Sequence, residues 1–217
     1  MTDILFEGHD LPPSAPWLDD TVSDQAVRVV QRALADAFIV ERGTNRGARI
    51  DAYNRHAGAP IGSAYCASGL YAWWTWAGVE GPPKAGDAYW STIGRGGLGP
   101  ASTDAWYWWA RDTKRWMPVG HPLVHLVSPG WAALYGSGKP NDPCYHIECV
   151  IRVPDLAAPG GAPSRSWCTF GANTSRAGAS RREGEAFDRK WFDDRTALAR
   201  AGILGFVSLT PIQGGTT

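Results

Sequence analysis

No run in the sequence approaches the roughly 20 consecutive apolar residues that a membrane-spanning helix requires, so membrane insertion is not expected. Nor is there a surplus of charge of either sign. Lys and Arg number 21, Asp and Glu number 21, and the formal net charge is zero. Nucleic acids and anionic membranes both reward a basic excess, so neither is expected as the main partner. The basic cluster of Arg176, Arg181 and Arg182 is local. The opening residues, MTDILFEGHDLPPSAPW, hold acids and prolines but neither a basic n-region nor a long apolar h-region, so no secretory signal is expected. The cytoplasm of the producing cell is the expected location. Cysteine is sparse, at four residues. In a reducing compartment free thiols are the default, and an even count alone does not argue for disulfides. Internal repeats, low-complexity segments and signs of a second domain are also absent. The 217 residues suit one domain spanning 1–217, with 1–20 as an irregular arm.

What the chain does have is tryptophan and glycine, at 12 and 26 residues. So many large rings point to flat aromatic surfaces as well as to core. Sugar stacking is one use of them and interior packing the other.

The pattern along the chain is helices first, strands later. Thr21 or Ser23 can cap a helix in which Val27, Val30, Leu34 and Phe38 recur at helical spacing, to about Val40. RIDAYNRHAG suits a short helix stopped by Gly58, and a helix from about Ser63 to Trp76 is stopped by Gly78. Residues 79–103 are rich in Gly and Pro and are expected as a long surface loop. STDAWYWWARDTKRW is expected as a further helix, and 79–118 forms a Trp-rich insertion. After Pro118 come PLVHLV, WAALYG, YHIECVIRV, SWCTFGAN and ILGFVSLTPI, which are short, β-branched or aromatic, and separated by turn formers. PDLAAPGGAPSRS is expected as a hairpin loop. The expectation is an α+β fold, with N-terminal helices packed on an antiparallel β-sheet.

One cysteine stands out by position. In GSAYCASGLYAWWTWAG, Cys66 opens an apolar helix. A thiolate there gains from free backbone N–H groups and the helix macrodipole, and a nearby histidine makes it a nucleophile at neutral pH. The bland alternative is a small buried hydrophobe. Among the five histidines, His146 starts the strongest strand, where a base would be rigidly held. Alternation puts Glu148 on the same strand face as His146. Asn173, at the end of the next strand, is a candidate orienter of the imidazole, or simply a turn residue in GANTS.

The order helix-borne Cys66, strand-borne His146 and then Asn173 resembles the CHAP family, the cysteine- and histidine-dependent amidohydrolases/peptidases of the papain-like clan. GSAYCASGLYAWWTWAGV resembles the family's Trp-Cys-Ala-Ala-Phe-Val block. WAALYG resembles its Gly-Asp-Leu-Val-Leu-Phe strand, and YHIECVIRV its His-Val-Gly-Ile-Val strand. CTFGANTSRAGASRREGEAFDRK resembles its Glu-Gly-Asn-Thr-Ser segment, and GTNRGARIDAYNRHAG its Gly-Asn-Arg-Gly type loop. The similarity runs over roughly residues 22–210. It implies a papain-like fold and a peptidoglycan hydrolase of phage-lysin type, released to the cell wall. Such an enzyme cuts the muramoyl–alanine amide or an amide of the stem peptide or cross-bridge. Cys66 would attack, His146 would shuttle the proton and Asn173 would hold the ring. Tyr65 would assist the oxyanion. Apart from the resemblance, Trp106, Trp108 and Trp109 of the 79–118 insertion either wall a glycan groove or simply close the core. No metal or organic cofactor is implied, and the enzyme would be monomeric.

The sequence departs from the family pattern in three places. Gly171 stands where a Glu is usual, Glu148 where a Gly is usual, and PGWAALYG lacks the usual Asp. Glu148 either replaces part of the missing acid function or is a solvated edge residue. Three other readings stay open. Cys144, His146, Cys149 and Cys168 are a permissible zinc set, although without the repeated two-residue knuckle. A non-catalytic, Trp-rich glycan-binding module is another. The third is a papain-like amidohydrolase acting on a different amide.

Overall fold

The structure, a computed structural model, describes residues 22–37, 39, 41–139, 142–153, 167–174, 185–192 and 195–213. The expected arm over 1–20, Phe38 and the expected hairpin loop over 154–166 lie outside the described residues.

The first half is helical. Helix α1 spans Asp24–Ala35, with the Ser23 hydroxyl accepting from the Ala26 N–H as its N-cap. Helix α2, Ala48–Ala57, ends at Gly58, whose φ of 75° is the left-handed conformation that a helix C-terminus favours in glycine. Helix α3 spans Cys66–Trp76 and is buried along nearly its whole length. Helices α4, Ala88–Thr92, and α5, Thr103–Asp112, follow. The stretch 79–103 is therefore not a plain surface loop. It contains α4, and Trp90 in that helix is fully buried. In the same way 79–118 supplies core: the Trp74 ring packs edge-on against Trp106 at 5.0 Å and Trp109 at 6.4 Å.

The strands are β1 Trp116–Pro118, β2 Ala132–Lys139, β3 Asp142–Arg152, β4 Trp167–Thr174, β5 Glu185–Phe192 and β6 Ile203–Val207. They form one sheet in the order β1-β6-β2-β3-β4-β5, and every described pairing is antiparallel. A short helix α6, Arg195–Arg200, precedes β6. The α+β architecture expected from the sequence is thus present, with differences of detail. PLVHLV folds as a 3-10 turn over Pro122–Leu126, not as a strand. The Pro122 ring, without an N–H, suits the first position of such a turn, and His121 caps it by accepting from the Leu123 N–H. EAFDRKWF forms β5, which its charged residues obscure in the sequence.

Both faces of the sheet are covered. One carries Leu134, Ile147, Cys149, Phe170 and Val207 against the helices. The other carries Ala133, Val150, Trp167 and Phe206, with Leu198 of helix α6 packed among them. The pairing of β2 with β3 shifts register beside Tyr135: Tyr135 faces His146, but Gly136 faces Cys144. Tyr145 is the extra residue of this bulge and is exposed. The bulge turns Cys144 into the helix-side core.

Helix α3 is fixed by two devices. The buried Asp36 carboxylate, just past α1, accepts from the Tyr53 hydroxyl, from Trp73 Nε1 at 2.8 Å and from Arg49 Nε at 3.0 Å. One carboxylate thereby ties α1, α2 and α3 together. The second device is Gly69, where an added Cβ would lie 3.1 Å from that of Ala172, so α3 can approach β4 closely.

Candidate active site

Cys66 is the first residue of α3, preceded by Tyr65 at the N-cap position. The first hydrogen bond of the helix runs from the Gly69 N–H to the Tyr65 carbonyl at 2.8 Å. The N–H groups ahead of it, that of Cys66 included, have no partner within the helix. Cys66 is nearly buried, with 8% of its surface exposed.

His146 on β3 hydrogen-bonds the Cys66 thiol. Its Nε2 lies 2.9 Å from Glu148 Oε1, so Nδ1 is the ring nitrogen left for the sulfur. Glu148 is completely buried. Its carboxylate also accepts from the Tyr135 hydroxyl at 2.7 Å, the Thr169 hydroxyl at 2.5 Å and Lys190 Nζ at 2.5 Å. A buried carboxylate persists as an anion only with partners of this kind. Burial works against the His146 charge, but the bonds to Cys66 and Glu148 outweigh it and hold the imidazole up at about 9. Burial likewise opposes the Glu148 charge, and His146 and Lys190 overcome it, bringing the carboxyl down to about 2. At neutral pH the pair is imidazolium and carboxylate, and the imidazolium faces the sulfur. The sulfur therefore sits between this charge and the N-terminus of α3.

The other expected site residues are placed as follows. Asn173 adopts a left-handed φ of 57° at the end of β4. Its backbone hydrogen-bonds the Tyr65 phenol, and the nitrogen it was expected to hold is occupied by Glu148. Glu148, not Asn173, orients the ring. Tyr65 is fully buried, and its hydroxyl is committed to the Glu41 carboxylate as well as to Asn173. Burial, then Glu41, raises this phenol well above its ordinary value, so it stays neutral. Tyr65 thus braces the loop before α2 and the end of β4 at the residue preceding the thiol, and is not a surface for substrate. Trp106 and Trp109 are core residues with 0% and 2% exposure and wall no groove. The half-buried Trp108 does reach the surface.

Tyr135, Thr169, Lys190 and Glu41 escaped the sequence reading. Thr169 faces Val150 across one strand boundary and Lys190 across the other, while Tyr135 faces His146. Period-two alternation applied to β2 and β4 would have found two of these. Lys190 required recognising β5.

All four cysteines are buried, and no disulfide joins them. Burial pushes the Cys149 thiol well above its ordinary value. Cys144, Cys149 and Cys168 belong to the helix-side core, whereas His146 shares its face with Glu148. Among the described residues no group of three or more His, Cys, Asp or Glu is disposed to hold a metal ion.

No protein-family model, curated protein or solved structure matches the chain.

Proposed function

We propose that this chain is a cysteine amidohydrolase with a papain-like fold of the CHAP type, cleaving an amide bond of peptidoglycan as a phage-type lysin. The observation that carries the reading is the relay Cys66–His146–Glu148, with a thiol at a helix N-terminus and a buried, oriented imidazole against it. The family motifs quoted above supply the choice of peptidoglycan as substrate.

The chemistry follows from the geometry. The Cys66 thiolate attacks the amide carbonyl carbon, and the carbonyl electrons move onto oxygen. The Cys66 N–H, unpartnered within the helix, is positioned to receive that oxyanion. One such donor is typically worth about 10²–10³ in rate. As the tetrahedral adduct collapses, the C–N bond breaks and His146 gives its Nδ1 proton to the leaving amine. A thioester remains on Cys66. His146, now neutral, takes a proton from water, and the resulting hydroxide attacks the thioester. Collapse releases the carboxylic acid and restores the thiolate–imidazolium pair. Throughout, Glu148 holds the ring by Nε2 and stabilises its charge.

The test is clearing of purified sacculi by wild type and Cys66→Ala, with released fragments weighed by mass spectrometry. Clearing that needs Cys66 supports the hydrolase, and the fragment masses name the bond. Binding to sacculi without clearing by either form would refute it in favour of a glycan-binding module. Clearing by both forms would mean a different nucleophile.

A further inference from the structure

A second concave surface lies apart from the thiol. Helix α5, the segment after α4 and edge strand β1 enclose an open groove of about 610 Å³. Neither Cys66, His146 nor Glu148 lines it. Its walls carry Arg95, Tyr107, Trp108, Arg111, Lys114 and Trp116.

The rings form a continuous chain. Tyr107 meets Trp108 at 4.9 Å and Trp116 at 5.1 Å, each nearly perpendicular. The cations are set against the rings. The Arg95 guanidinium lies 3.8 Å over Trp108, and Arg111 donates to the Tyr107 hydroxyl at 3.1 Å. A guanidinium stacked on an aromatic face keeps in-plane N–H groups for a carboxylate. Among the described residues, Arg95, Arg111 and Lys114 form no salt bridge. The acid of the wall is Asp112, and its Oδ2 already accepts from the Tyr89 hydroxyl at 3.0 Å. In a chain of zero net charge this groove is locally cationic.

Flat rings interleaved with unneutralised cations suit a ligand with apolar sugar faces and regularly spaced carboxylates. The volume falls in the range of ligand clefts, roughly 300–1,000 Å³. We propose that this groove is an anchoring exosite for the glycan strand of peptidoglycan. Sugar rings lie on the Trp108–Tyr107–Trp116 chain, and strand carboxylates pair with Arg95, Arg111 and Lys114. The choice of polymer rests on the hydrolase reading. Holding the strand here raises the local concentration of amides at Cys66 without taking part in the bond cleavage.

The test uses the full chain carrying Cys66→Ala, so that substrate stays intact, and titrates soluble uncross-linked peptidoglycan strands by calorimetry. A chitooligosaccharide of equal length has the same backbone without lactyl and peptide carboxylates. Single-stranded DNA is the control for a general polyanion. Strands are expected to bind at least 10-fold more tightly than either control, and less tightly as salt rises. Trp108→Ala, and separately the exposed pair Arg111→Glu with Lys114→Glu, are each expected to weaken strand binding at least 10-fold. The charge-reversed pair keeps the test valid if the Trp108 variant melts early. Unchanged strand affinity in a folded charge-reversed protein overturns the proposal. So does equal binding of the chitooligosaccharide, or tighter binding of DNA. If wild type fails to cleave but strand binding depends on the groove, the hydrolase reading falls and the exosite stands. Cleavage with groove-independent binding gives the converse.

Discussion

His146 and Glu148, two residues apart on one strand, share a 2.9 Å bond between Nε2 and Oε1 at the end of the sheet where Cys66 arrives. The spacing follows from strand geometry, since side chains at i and i+2 leave the same face. A His-x-Glu pair on a single strand therefore orients its own imidazole, where the sequence pointed to an Asn on the neighbouring strand.

Replacing the orienter should act on the ring and not on the fold alone. Glu148→Gln keeps size and polarity but removes the charge opposite the imidazolium. Turnover is expected to fall about 10²–10⁴-fold, the usual worth of a positioned acid–base group. The basic limb of the kcat/KM profile, set by His146 near 9, should move to lower pH. Asn173→Gly, which tolerates the φ of 57°, should leave that limb in place. A profile moved by Asn173→Gly and not by Glu148→Gln would return the orienting role to Asn173.

The thiols should differ in reactivity. Cys144, Cys149 and Cys168 are at most 2% exposed, while Cys66 is 8% exposed and faces an imidazolium. Brief iodoacetamide treatment of the native protein is expected to give one adduct, on Cys66, by peptide mass mapping. The rate should drop in His146→Ala. Equal labelling of all four cysteines would count against an activated Cys66.

The buried pair also makes stability depend on pH, in opposite senses on the two sides. His146 is raised in the folded state, so its contribution is complete below its ordinary value of 6.5 and is lost as pH rises through about 9. Glu148 is lowered, so its contribution is complete above its ordinary 4.5 and is lost as pH falls through about 2. Melting temperatures should therefore fall above pH 6.5 and below pH 4.5. In Glu148→Gln both dependences should flatten. Melting curves from pH 3 to pH 10 on the two proteins decide this.

Trp106 and Trp108 should separate core from surface. Trp106 is fully buried, and its indole N–H donates to the Pro100 carbonyl at 3.0 Å. Trp106→Ala is expected to cost about 3–5 kcal/mol by urea unfolding. Trp108→Ala should cost less than half of that, because the Trp108 ring is only half-buried. A cheap Trp106→Ala would mean the ring is not the core element described.

Which parts of this arrangement can be read from the sequence follows from how local each signal is. Gly58 and Ser23 are short-range signals, and they mark helix ends that exist. The position of Cys66 is local too, since only the turn before it decides that it opens α3. His146 and Glu148 are legible as a pair because strand alternation needs no partner. The remaining ligands of Glu148 come from three different strands, and only sheet order brings Tyr135, Thr169 and Lys190 together. The tryptophans misled for a physical reason. On an amphipathic helix such as α5 neighbouring indoles project about 100° apart, so at the edge of the apolar stripe Trp108 and Trp109 divide between surface and core although adjacent. The Asp36 network was equally out of reach, because its partners lie up to 37 residues away.

The bulge at Tyr145 has a consequence for how this chain can vary. Strand phase is counted afresh from Tyr135 opposite His146, whatever precedes it. A change of strand phase on the far side of the bulge therefore leaves the imidazole pointing at the sulfur. A single deletion between 146 and 148 has no such buffer, because it would turn the carboxylate to the opposite side of the sheet. The three residues from His146 to Glu148 are thus held to a fixed count.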